Sequence, residues 1–325
     1  MQSLKTNSFD GILSRLRSST AVMLLVVLII GSILLNLVTQ TFFSAYNIST
    51  LIRTISFTTI AAFGQTLVLL TGGIDLSVAG IAGLSGIVSG WLMVNTSIDP
   101  FLCIFLTLLF GFGGGLINGV LVTYVALVPF IATLATGTIF TGFIYVFTQG
   151  WPIQNLPEKV FFLGRGMIGR IPIPFIIMLI IAAILVWVLN FLPFGRYIYA
   201  VGGNENAARI TGIKHKQVKL IVYGLSGVLA SLGGILITCR LGAAQPTVGS
   251  QWVMPTVTAA VIGGTSLLGG QGGIIGTIVG SALTGIISNA IVLLGVSSYW
   301  ENVIIGLVVL IAVTIDRIRI YMYNK

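Results

Sequence analysis

Charge is what this sequence has least of: Asp, Glu, Lys and Arg make up 7% of its 325 residues, where a soluble domain carries about 25%. A soluble globular protein is thereby excluded. Histidine occurs once, at His215, so a histidine-based metal site and a Ser-His-Asp arrangement have no material inside an apolar bundle, and hydrolase chemistry is disfavoured. The two cysteines, Cys103 and Cys239, lie in or beside apolar stretches, which gives no support to a disulfide framework or a CxxC metal site and makes both packing residues. No G-x-x-x-x-G-K-[ST] run occurs, and the glycine-rich stretch ending at Gly273 has no lysine to reach a nucleotide phosphate. ATP hydrolysis by this chain itself is therefore not expected, nor is a resident cofactor.

What the chain has is apolar length. Apolar residues make up 56% of it, and the mean hydropathy is +1.08. A membrane-spanning helix needs about 20 residues, and ten apolar stretches can be read, at 21–38, 48–70, 76–94, 101–122, 129–148, 173–192, 220–238, 252–268, 274–294 and 299–315. The expectation is an all-α polytopic membrane protein, one domain over residues 1–325, with about ten spans. Forty-one glycines exceed an average share and predict closely packed helices. The first apolar run follows Lys5, Arg15 and Arg17 like a secretory signal, but it has spanning length and no convincing small-residue cleavage site, so an uncleaved first helix is expected.

The formal charge of +9 would point to nucleic acid in a soluble protein; here it sets topology, and no nucleic-acid partner is expected. With the first helix starting inside, ten spans return the C-terminus to the same side. Eleven of the sixteen basic residues (Lys5, Arg15, Arg17, Arg196, Arg209, Lys214, Lys216, Lys219, Arg317, Arg319 and Lys325) then lie inside, against Arg53, Lys159, Arg165, Arg170 and Arg240 outside. The positive-inside rule favours this N-in, C-in arrangement, with 1–20 as a cytoplasmic tail.

Two connections are long. The outer one, 149–172, holds Trp151, Pro152, Pro157, Glu158 and Lys159 and suits a loop or short interfacial helix, either meeting an external partner or, as preferred, covering the bundle. The inner one, 193–219, brackets a polar segment, 205–210, between Gly202 and Gly203 before it and Gly212 after it, and predicts a helix of about two turns lying in the loop. Glycines recur every fourth residue at Gly111, Gly115 and Gly119 and at Gly272, Gly276 and Gly280, which predicts helix packing. The run GGTSLLGGQGG at 263–273 is too glycine-rich for a regular helix and marks a tight turn or a break between two half-helices.

Of the seven acids, only Asp75 stands near a break between spans, so coupling to a proton gradient is disfavoured. Gly72 and Gly73 precede it, and its carboxylate is placed to cap the third helix; lining a path or carrying a proton are the rival roles. Neutral groups available to a solute path are Gln65, Thr71, Ser77, Asn118, Thr133, Thr136, Gln245, Trp252, Thr256, Thr258 and Asn289. For most of these a helix–helix hydrogen bond is the preferred reading.

Four segments span most of the chain in order: LTGGIDLSV at 70–78, PFIATLATG at 129–137, GRYIYAVGGNENAARITGI at 195–213 and AVIGGTSLLGGQGGIIGTIVG at 260–280. Together they resemble the ribose-type sugar permeases of bacterial ABC importers. The resemblance implies a multi-pass inner-membrane subunit that carries a monosaccharide. It further implies a second permease copy or a related permease, cytoplasmic ABC ATPase subunits, and a periplasmic sugar-binding protein. Such permeases carry a loop motif built on E-A-A followed by glycine. Glu205, Ala207, Ala208 and Gly212 look like a loose version, interrupted by Asn206 and without the Leu-Pro ending of many such loops. Gly202, Gly203, Asn204 and Arg209 complete the expected ATPase-coupling helix. The alternative is a self-sufficient secondary transporter or facilitator for a small neutral solute.

Overall fold

A computed structural model describes residues 20–297 together with 299–301, 303–307, 310 and 314. The expected tail up to residue 19 and seven of the seventeen residues of the tenth apolar stretch lie outside the described residues. The helices are α1 (Thr20–Thr39), α2 (Ala45–Leu70), α3 (Val78–Asn95), α4 (Pro100–Thr123), α5 (Pro129–Thr148), α6 (Phe161–Arg165), α7 (Ile173–Phe191), α8 (Pro193–Gly203), α9 (Glu205–Ile210), α10 (His215–Leu241), α11 (Val253–Ile262) and α12 (Ile274–Leu293). Seven of them, α2, α3, α4, α5, α7, α10 and α12, are long and apolar enough to cross a membrane. An all-α polytopic membrane protein is what this architecture describes.

Burial sorts the spans into a centre and a rim. The most apolar window is 72% buried in α2 and in α3 and 67% in α10, but 28% in α4, α5 and α7, so the first three form the core and the last three turn apolar faces outward. Glycine lets the core close. A methyl group on Gly111 of α4 would lie 2.8 Å from the Gly227 carbonyl oxygen of α10, one on Gly115 2.9 Å from the Gly224 Cα, and one on Gly119 3.0 Å from the Leu220 Cα. Backbone therefore lies on backbone along this crossing. The second expected stripe is shorter than its spacing implied: Gly276 and Gly280 of α12 abut Gly263 and Ala259, but Gly272 sits before the helix with φ +125°.

Three expectations need correction. The apolar stretch 252–268 is helical only over α11, ten residues, because Gly263 packs against the backbone of Gly276 and Gly264 takes φ +92°, a left-handed turn that glycine permits. The 193–219 connection is mostly helical, since α8 precedes α9 with Pro193 at its first turn, a position where proline's missing N–H costs nothing. The 149–172 connection is not purely loop and helix: β1 (Met167–Ile168) and β2 (Ile171–Pro172) pair antiparallel. It covers the bundle as preferred, with Leu156 and Val160 buried against Met93, Cys103, Ile235 and Cys239. Both cysteines are buried and free.

Candidate functional site

Residues 71–77 interrupt the helix path between α2 and α3. The chain leaves α2 at Leu70, the Thr71 hydroxyl donates back to the Val68 carbonyl at 2.8 Å, and Gly72 turns with φ +76°. Asp75 is fully buried. Its Oδ1 accepts from the Ser77 N–H at 2.9 Å and the Ser77 hydroxyl at 2.6 Å, and its Oδ2 accepts from the Ser226 hydroxyl of α10 at 2.8 Å. The carboxylate thus supports the start of α3 at its N-cap residue and also ties that start to α10. Asn118 of α4 donates to the Ser77 hydroxyl oxygen at 2.7 Å and accepts from Thr136 of α5. Thr133 of α5 accepts from the Leu76 N–H at 3.0 Å, and the Tyr223 hydroxyl of α10 donates to the Ile74 carbonyl at 3.3 Å. Non-helical backbone buried in a membrane protein must find partners within the protein. Here α5 and α10 supply them, through Thr133 and Tyr223, while Asn118 of α4 holds the Ser77 hydroxyl.

Of the path candidates, Thr71, Asp75, Ser77, Asn118, Thr133 and Thr136 therefore meet at this break, their polar atoms committed to other groups of the chain. The others lie apart, and of these the Thr256 and Thr258 hydroxyls donate back along α11, to the Trp252 carbonyl at 2.8 Å and the Met254 carbonyl at 2.6 Å. Asn289 exchanges hydrogen bonds with Asn47 at 3.1 and 2.8 Å, joining α12 to α2. Gln245 and Trp252 stand on the connection from α10 to α11, Trp252 against Gly233. Gln65 is fully buried on α2, and both its amide nitrogen and oxygen lack a partner among the described residues. It sits between Gly64, packed on Ser226, and Thr66, whose hydroxyl pairs with Thr277 of α12 at 2.6 Å. Ser226 and Tyr223 were not foreseen, since a partner about 150 residues away leaves no local signal.

The 193–219 region forms two short helices. On α8, Gly195, Ile198 and Val201 face inward at helical spacing. Asn204 caps α9 by accepting from the Ala207 N–H at 3.0 Å. Ala208 is buried, while Glu205, Ala207 and Arg209 are exposed, and Ile210 is 82% exposed. Glu205 does not project freely: it pairs with Lys219 at 2.6 Å and approaches His215 at 3.8 Å, holding α9 against the start of α10. Gly212 makes the turn between them with φ +83°. The Tyr199 hydroxyl donates to the Gly272 carbonyl at 3.0 Å, and burial pushes it above the usual tyrosine range, so it stays a donor.

At the opposite end, arginines act as staples. Arg165 donates to the carbonyls of Arg240 and Leu241 at 2.7 and 3.0 Å, satisfying the end of α10, and stacks on Phe161 at 4.4 Å. Arg53 donates to the Arg165 carbonyl at 3.2 Å, and Arg240 to the Thr54 hydroxyl at 3.1 Å.

A bundle of long apolar helices with a buried non-helical break, and with one short polar helix exposed at one end, defines a multi-pass membrane protein. The family described as branched-chain amino acid transport system / permease component matches residues 47–313, and the chain belongs to it. It is thus a multi-pass permease subunit of the inner membrane and not an enzyme. It is 44% identical to the ribose import permease protein of Bacillus subtilis (strain 168) over 95% of this chain and 94% of that one. The ribose import permease protein of Haemophilus influenzae is 39% identical over 90% of this chain and 91% of its own. That of Escherichia coli (strain K12) is 38% identical over 90% and 92%. No solved structure matches the chain.

Proposed function

We propose that this chain is the membrane-spanning subunit of an ATP-driven importer for a monosaccharide, ribose being the first candidate. The observation that carries the reading is the near end-to-end likeness to ribose import permeases from three organisms. The family description names amino acids, but a zwitterion needs charged groups of both signs. Among the described buried residues the one charged side chain is Asp75, which is committed to Ser77 and Ser226. Neutral hydroxyls and amides suit a polyhydroxylated solute better.

In this reading residues 1–325 form one permease domain of ten spans with both termini cytoplasmic. The spans are α1, α2, α3, α4, α5, α7, α10, α12 and the stretch 299–315, with the ten-residue α11 and the non-helical chain on either side of it completing the tenth crossing. The 1–20 tail and the 193–219 connection face the cytoplasm, and 149–172 faces the periplasm. A cytoplasmic ABC ATPase docks on α8 and α9, through Gly202, Gly203, Asn204, Glu205, Ala207, Ala208, Arg209 and Gly212, with the exposed Ile210 as an added apolar contact. A periplasmic sugar-binding protein delivers the solute, and a second copy of the chain completes the pore. Thr71, Asp75, Asn118 and Thr133 hold the break that changes shape during transport. Gln65 keeps an amide free for a sugar hydroxyl, Gln245 and Trp252 stand at the outer approach, and Asn289 staples α12 to α2.

Deleting the gene in its host tests the assignment. Uptake of labelled ribose from dilute medium is expected to be lost and restored by the plasmid-borne gene; unchanged uptake of ribose in the deletion strain contradicts the assignment. Reporter fusions after Thr148 and Lys325 test the topology, with the periplasm expected for the first and the cytoplasm for the second.

A further inference from the structure

Residues 193–219 carry the exposed polar helices, yet the two non-helical breaks of the bundle, 71–77 and 263–273, are separate in sequence. Glycine brings all three together. A methyl group on Gly202, near the end of α8, would overlap the Leu70 carbonyl oxygen at the end of α2 and lie 2.6 Å from the Gly270 nitrogen. One on Gly269 would lie 2.7 Å from the Gly202 carbonyl oxygen and 2.9 Å from the Gly72 nitrogen, and one on Gly270 would lie 2.8 Å from the Gly203 Cα. Gly269 and Gly270 also take φ of +90° and +72°, a conformation open to glycine at little cost. Two hydrogen bonds fasten the contact: the Gly270 N–H donates to the Leu70 carbonyl at 3.0 Å, and Tyr199 of α8 donates to the Gly272 carbonyl at 3.0 Å.

Backbone resting on backbone has no side chain to yield between the parts, and a displacement of one segment is passed on undiminished. We infer that Gly202, Gly203, Leu70, Gly269 and Gly270 form a rigid joint through which movement of α8 and α9 reaches both breaks at once. The inference deepens the importer reading and rests on it. Pulling on α8 moves the end of α2, and with it the Asp75 network that begins α3. It also moves the turn joining α11 to α12. The two breaks therefore act as one gate. Tyr199 and Gly270 are positioning residues: neither meets ATP or solute, and both act through the contact they hold.

The test uses the full complex in proteoliposomes, with the ATPase subunits and binding protein, and reads labelled ribose taken up per ATP hydrolysed. Gly270→Ala is expected to lower this ratio at least about tenfold, and Tyr199→Phe about two- to threefold. Merely structural residues would lower the amount of complex and leave the ratio alone. Should Gly270→Ala fail to assemble, a cross-link decides. In a chain with Cys103 and Cys239 replaced by alanine, Gly203→Cys, where a Cβ meets no neighbouring atom, and Leu268→Cys, at a side chain that is 72% exposed beside Gly269, are joined by a short bifunctional thiol reagent. A rigid joint predicts that the cross-linked complex keeps at least half of its uptake per ATP. Wild-type ratios in both point variants, or loss of uptake on cross-linking, overturn the joint. An unmodified complex that shows no ATP-dependent uptake overturns the importer reading itself, and the joint falls with it.

Discussion

The two breaks of this bundle solve the same problem by different means. Residues 71–77 are mostly buried, and their polar groups are held by side chains from α4, α5 and α10 around Asp75. Residues 263–273 are largely half-buried or exposed, and the chain is held there mainly by glycine turns and backbone bonds, as from the Ser266 N–H to the Gln271 carbonyl and from the Gly270 N–H to the Leu70 carbonyl, both at 3.0 Å, with one side chain, Tyr199, on the Gly272 carbonyl. The difference teaches that burial decides which chemistry is needed. Where the chain is buried, donors and acceptors must be matched by built-in partners; where it is more exposed, fewer such partners are needed and close glycine contacts carry more of the support. The first break should accordingly be the more sensitive to polarity and the second the more sensitive to volume.

The largest effect expected is one of volume. Gly276→Leu places a branched side chain where α12 lies on the Gly263 backbone, and no properly folded permease is expected by fluorescence-detected size exclusion. A monodisperse product at normal yield would deny the close crossing of α11 and α12.

Polarity at Asp75 comes next. Asp75→Ala removes the acceptor for three donors and should cost about 2–4 kcal/mol, since each buried unsatisfied donor costs about 1–3 kcal/mol with partial relaxation. Asp75→Asn keeps one oxygen, and the hydroxyl facing its new NH2 can turn to accept, so about 1 kcal/mol is expected. Thermal unfolding in detergent ranks the two. Equal losses would mean that the charge, not the hydrogen-bond pattern, supports the break.

The sharpest contrast is a matched pair of small changes. Thr133→Val keeps shape and removes the acceptor of the Leu76 N–H, at a cost of about 1 kcal/mol. Thr265→Val, in the other break, removes a hydroxyl that is buried without a partner among the described residues and should be neutral or slightly stabilising. If Thr265→Val is the more harmful, the division between the two breaks is wrong.

Much of this was legible in the sequence and some was not, for physical reasons. Gly72 and Gly73 followed by Asp75 announced a break and a local carboxylate acceptor, because a helix end exposes N–H groups that a nearby acid satisfies. The bond from Ser226 to Asp75 was invisible, since nothing in α10 marks one serine among several apolar turns. The stripe of Gly111, Gly115 and Gly119 was read correctly as packing because its spacing is a property of one helix. The length of α11 was overread: hydropathy counts apolar residues through 268 and does not register that Gly263 and Gly264 end the helix. Likewise Pro193, Gly195, Gly202 and Gly203 looked like loop, while Pro193 opens α8 and the glycines serve contacts. Glu205 was expected to face a partner, and its pairing with Lys219 shows how a polar helix can direct its charge back onto its own chain.

The central claim is that this permease imports a monosaccharide only when driven through its cytoplasmic loop. The direct measurement is accumulation of labelled ribose in proteoliposomes that contain this chain, with ATPase subunits, ATP and binding protein supplied or withheld in turn. The account predicts uptake against a gradient that requires all of them and stops when any one is omitted. Equal uptake by the chain alone, without ATP, would identify a facilitator and contradict it.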